Sequence, residues 1–109
     1  RILGDLNTDV SNVFFCEHID GGERDIKRTL IAKDADAIIP FEIVDYTLTQ
    51  YVHDSNALKI PKLLLEMGHF NCEQLGMKYM VNWLEDLLVN QRVLFLQCDD
   101  IFNYYAPQK

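Results

Sequence analysis

The chain has 109 residues, 49% of them apolar, and carries a formal net charge of −7. That length suits one domain over residues 1–109, and that apolar share supports a packed core rather than a disordered chain. The acidic balance argues against nucleic acid or an anionic membrane surface as the main partner, because both select a basic patch.

Residues 1–11 suit either a short strand around Arg1-Ile2-Leu3 or a frayed terminus. Residues 12–19 read as a strand, since Val13-Phe14-Phe15-Cys16 is a nearly continuous apolar run of the kind buried on both faces. Asp20-Gly21-Gly22 breaks it, and residues 23–33 follow as a helix with Ile26, Leu30 and Ile31 on one face. A second strand covers residues 36–41, with its apolar run Ala37-Ile38-Ile39 ending at Pro40. Residues 42–53 place Val44, Leu48, Tyr51 and Val52 at helical spacing, and Asp54-Ser55-Asn56 ends that helix. The third strand covers residues 62–67. A third helix runs over residues 71–90, with Asn71 as its N-cap, Gln74 completing a capping box, and Phe70 and Leu75 as a hydrophobic staple. Its core stripe is Gly76, Met80, Trp83, Leu84 and Leu87. Residues 92–98 form a fourth strand around Val93-Leu94-Phe95-Leu96, and the aromatic tail Phe102, Tyr104 and Tyr105 docks on another surface. The expected fold is α/β, a three-layer domain with a mostly parallel sheet of at least four strands in the order β-α-β-α-β-α-β.

Cys16, Cys72 and Cys98 have wide, irregular spacing, which fits reduced thiols in a cytoplasmic protein better than a disulfide framework or a zinc ribbon. No apolar run reaches the length of a transmembrane helix, and no signal-peptide pattern is visible.

Polar residues with chemistry gather at the carboxyl ends of the strands, where sites form in open α/β sheets. His69 stands four residues before Glu73 at the turn into the third helix, and imidazole with carboxylate suits zinc, manganese or iron. The same spacing also fits a first-turn Glu favoured by the helix dipole. His18 and Asp20 follow the first strand and Glu42 the second. Gly21-Gly22 suits a tight turn needing positive φ, more than a phosphate cradle. Cys72 suits a small apolar place in the turn, and His53 an exposed helix end.

The segments Ala35-Asp36-Ala37-Ile38-Ile39-Pro40-Phe41-Glu42 and Met67-Gly68-His69-Phe70-Asn71-Cys72-Glu73-Gln74-Leu75-Gly76-Met77 resemble the NIF-three-like family of dinuclear-metal-centre proteins, the GTP cyclohydrolase 1 type 2 homologues. Gly-His-x-x-x-Glu in this setting is the most specific part, and the resemblance covers roughly residues 12–105. It extends to the C-terminal half of such proteins. The His-His pair and the Asp that complete the family's site have no counterpart here, and Tyr46 stands where many relatives carry a His. Together with a start at Arg1 rather than Met, this leads us to expect a piece of a longer protein.

The resemblance implies a metal-dependent hydrolase acting on a nucleotide or phosphoester, with two divalent ions per complete site and trimeric or hexameric homo-oligomers. It makes His69 and Glu73 metal ligands and Glu42 a supporting or proton-transferring residue. With two ligands in hand, the isolated chain is expected to be inactive and to bind Zn²⁺ or Mn²⁺ weakly unless His18, Asp20 or a neighbouring subunit completes the set. The competing expectation is a non-enzymatic, metal-stabilised module of an oligomer.

Overall fold

The computed structural model describes residues 1–99. Its elements are β1 (Ile2–Leu3), β2 (Val13–Ile19), α1 (Glu23–Ala32), β3 (Ala37–Ile43), α2 (Leu48–Ala57), β4 (Leu63–Leu65) and α3 (His69–Leu87). The chain forms two compact units, Arg1–His69 and Phe70–Lys109.

The first unit is α/β. Its four strands make one mixed, mostly parallel sheet in the order β1-β4-β3-β2. β2 pairs with β3 and β3 with β4 in parallel, whereas β1 pairs antiparallel with β4. The two parallel crossovers step in one direction along the sheet, and α1 and α2 pack on the same core. Both helices feed one core, in which Ala32, Leu48 and Val52 meet Cys16, Ile38 and Leu64. Ile38, Leu48 and Leu64 are fully buried. Each contributes on the order of 1.5–3 kcal/mol by leaving water.

Several boundaries depart from the sequence reading. Of the two readings of the N-terminal segment, the short strand is the one observed, and it supplies the fourth member of the sheet. Val93-Leu94-Phe95-Leu96 lies outside the sheet, because residues 91–99 carry no strand. A four-residue apolar run fits a buried strand or a packed loop equally well. Here it lines an apolar groove of about 480 Å³ with Phe70, Met77, Val81 and Leu84 of α3. The element order is therefore β-β-α-β-α-β-α.

β3 runs on to Ile43, through Pro40. The missing N–H is tolerated because the β3–β4 ladder ends before it, at Ile38↔Leu64, and the Pro40 carbonyl accepts from Met67 N at 3.1 Å. α2 consequently starts at Leu48, six residues later than expected, and continues through Asp54-Ser55-Asn56. Those polar residues do not stop the helix. Ser55 Oγ donates to Ile60 O, while Asn56 bonds both the N–H and the carbonyl of Lys62, closing the loop into β4.

Ile26, Leu30 and Ile31 do share a face of α1, but that face is 61–66% exposed. The inward face carries Asp25 and Ala32. α3 starts at His69 rather than Asn71, so Asn71 lies inside the helix and not at the cap position expected for it. Gly68, at φ +87°, turns the chain out of the strand one residue before the helix. α3 ends at Leu87, and Asn90 adopts φ +66° just beyond. The residues of α3 that line the groove are Phe70, Glu73, Gln74, Met77, Met80, Val81 and Leu84. The expected stripe shares Met80 and Leu84 with this set, whereas nothing lies within 4 Å of a side chain built at Gly76. The tail at Phe102, Tyr104 and Tyr105 lies outside the described residues.

Candidate metal centre

Three side chains meet at the carboxyl ends of β2, β3 and β4. His18 and Glu42 are direct partners in the parallel β2–β3 ladder. Past β4, Met67 N donates to Pro40 O and Gly68 N donates to Phe41 O at 2.8 Å. These bonds lay the turn along β3 and deliver His69 beside Glu42.

The Glu42 carboxylate stands between two imidazoles. Its Oε1 is 3.0 Å from His18 Nδ1, and its Oε2 is 3.4 Å from His69 Nδ1. The two rings lie side by side, with centroids 4.9 Å apart and planes tilted by 34°. Phe41 stands edge-on to His18 at 5.8 Å. Ligand-type atoms of His18, Glu42 and His69 all fall within 4.8 Å of one another.

One atom of the group is unusual. His18 Nδ1 is buried and makes no hydrogen bond. The Glu42 oxygen is near enough for an ion pair, yet its approach lacks hydrogen-bond alignment, so proximity alone does not satisfy the nitrogen. A buried ring nitrogen without a partner costs free energy, and a cation seated in the group would remove that cost. Two imidazole nitrogens and one carboxylate form a donor set that suits zinc, manganese or iron.

The structure thus brings together two of the expected residues, His69 and Glu42, and adds His18. Sequence reasoning named His18 only as one of several residues able to complete a shell, because the link between His18 and Glu42 is a strand register. Asp20, the other residue named for that role, is engaged elsewhere. Its Oδ1 accepts from Gly22 N at 3.1 Å, and chiefly that bond holds its carboxyl below the usual range. The Gly21-Gly22 turn is a tight turn. Gly21 has φ +77°, a side chain there would strike the Tyr46 ring, and its N–H is taken by the Asp25 carboxylate at 2.8 Å.

Glu73 lies on α3 one turn beyond His69 and belongs to the second unit. Burial, with Glu73 second, pushes the Cys72 thiol up, which disfavours the thiolate that metal binding needs. Cys16 is buried in the core and its thiol is pushed up to about 11, again chiefly by burial.

Comparison with protein-family models, with curated proteins and with solved structures finds no match to this chain. The resemblance to the NIF-three-like family rests on its motif residues.

Proposed function

We propose that this chain supplies a divalent-metal centre to a metal-dependent hydrolase of a nucleotide or phosphoester, in the manner of the NIF-three-like family. The observation that carries this reading is the convergence of His18, Glu42 and His69 around an unsatisfied, buried His18 Nδ1. In it the two histidines and Glu42 are the ligands. Glu42, expected as a supporting residue, offsets the positive charge from between the rings. A divalent ion held there supplies Lewis acidity and stabilises negative charge developing on a substrate oxygen. Three protein ligands leave room for substrate or for a second ion. Glu73 keeps the ligand role that the resemblance gives it, to be tested separately.

The same reading keeps the three-layer arrangement and the homo-oligomer. Phe15 is 68% exposed and alternates with buried Cys16, so it projects from the sheet face opposite α1 and α2. A neighbouring subunit would provide the third layer there. That exposed ring also favours the second reading, a metal-stabilised interaction module without turnover.

The test is hydrolysis of nucleoside triphosphates and p-nitrophenyl phosphate, with Zn²⁺ or Mn²⁺, by a full-length protein that carries this chain together with the remaining ligands of the site; the chain alone is expected to be inactive. The enzyme reading expects turnover that chelation removes and that His69→Ala and Glu42→Gln abolish, with Glu73→Gln testing the ligand role that the resemblance implies. Metal binding without turnover would favour the module. Equal turnover in all variants would refute the ligand assignment.

A further inference from the structure

We propose that Asp25 and Arg28 of α1 form a buried bracket that positions His18 against Glu42, so that α1 is a positioning element of the candidate metal centre. This rests on the reading of His18, Glu42 and His69 as ligands.

Asp25 is 0% exposed. Its Oδ2 accepts from Gly21 N at 2.8 Å and from Thr47 Oγ1 at 2.7 Å. Its Oδ1 faces Arg28 Nη1 at 3.3 Å. Gly21 is two residues past the end of β2 and Thr47 four past the end of β3. One carboxylate therefore ties together the outgoing ends of the two strands that carry His18 and Glu42.

Arg28 supplies the second half. Its side chain is 14% exposed, and Nη1 donates to the His18 carbonyl, while Nη2 stands 3.7 Å from Glu17 Oε2. β2 is an edge strand of the sheet, with a ladder on one side only. The guanidinium fixes the peptide plane that follows His18, and with it the direction in which the imidazole leaves the backbone.

A buried ion pair is poorly explained by stability alone. Its desolvation cost offsets much of its attraction, and apolar replacements of similar volume are often neutral. Geometry is the better account. Metal ligands must be held to about 0.5 Å, and residues that orient ligands typically change metal affinity by about 10- to 100-fold. Arg28 acts on the carbonyl of His18 itself, and Asp25 on Gly21 and Thr47, three residues past His18 and five past Glu42.

The test is titration of the full chain with Co²⁺ and Zn²⁺, recording affinity and the visible Co²⁺ spectrum. Arg28→Lys keeps the charge but loses the planar fork, and Thr47→Val removes one hydrogen bond to Asp25. Both should weaken binding by about 10- to 100-fold and alter the spectrum, and Thr47→Ser should restore wild-type behaviour. Lys62→Met is the structural control: it should lower the melting temperature and leave affinity and spectrum intact. If Arg28→Lys does not fold, Thr47→Val against Thr47→Ser decides. Binding that depends on His18 but is unchanged in Arg28→Lys and Thr47→Val would overturn the bracket while sparing the ligand assignment. Absence of binding by the wild-type chain, or binding indifferent to His18→Ala, would refute the ligand assignment and the bracket with it.

Discussion

Lys62 is 4% exposed, and its ammonium donates to the carbonyls of Ala32 (3.2 Å), Lys33 (2.8 Å) and Ala35 (2.5 Å). α1 has no basic residue in its last turn, so a side chain from thirty positions later satisfies that helix end. Lys62→Met should leave these carbonyls without a donor and destabilise the chain by roughly 2–4 kcal/mol, measurable by denaturant unfolding. Asp36 acts similarly for β2. Its carboxylate accepts from the N–H groups of Ser11 and Asn12, both at 2.9 Å, and the Asn12 bond is the larger cause of its lowered pKa. A carboxyl depressed in the folded state stabilises above its unfolded pKa and loses that effect as pH falls through its folded pKa. Asp36→Ala should therefore melt below wild type at pH 7, with the gap closing in acid. An equal gap at both pH values would contradict this account. Neither role was legible in the sequence, since each joins residues far apart in the chain. The strand-end placement of His69 and Glu42 was legible, because chain order and a short motif mark those positions.

Elements were legible where burial on one side is dictated by an unambiguous pattern. β2 and β3 were read nearly as observed, and so was the alternation of strands with helices. The inward face of α1 was not. Two stripes compete on that helix, Ile26-Leu30-Ile31 and the polar one through Asp25 and Ala32, and apolarity alone selects the wrong one. Asp25 turns inward because Gly21, Thr47 and Arg28 together satisfy its carboxylate. Leu30→Gln should thus shift stability by no more than about 0.5 kcal/mol, while Ile38→Ala in the core should cost about 2–5 kcal/mol. A large loss in Leu30→Gln by thermal melting would show that this face is buried. For α3 the difficulty was an excess of apolar positions, which let the periodicity point to a stripe rotated away from the groove-lining one.

At the scale of the whole molecule, the three candidate ligands all lie within Arg1–His69. Strands meeting in parallel register make this possible, because each contributes its outgoing end to one edge of the sheet. Among the described residues no helix is long and apolar enough to cross a membrane. Exposed Phe15 leads us to expect self-association, and Phe15→Glu should shift sedimentation toward monomer. A metal that binds only the folded chain should also raise the melting temperature. At a concentration 100 times the dissociation constant the gain is about 2.7 kcal/mol, and it should vanish in His18→Ala and diminish in acid as protons compete for the ligands.

The most direct measurement is anomalous scattering from crystals grown with Zn²⁺. The account predicts a peak about 2 Å from ring nitrogens of both His18 and His69 and from a Glu42 oxygen. No peak there at saturating zinc, or one bound only by residues outside this trio, would contradict it.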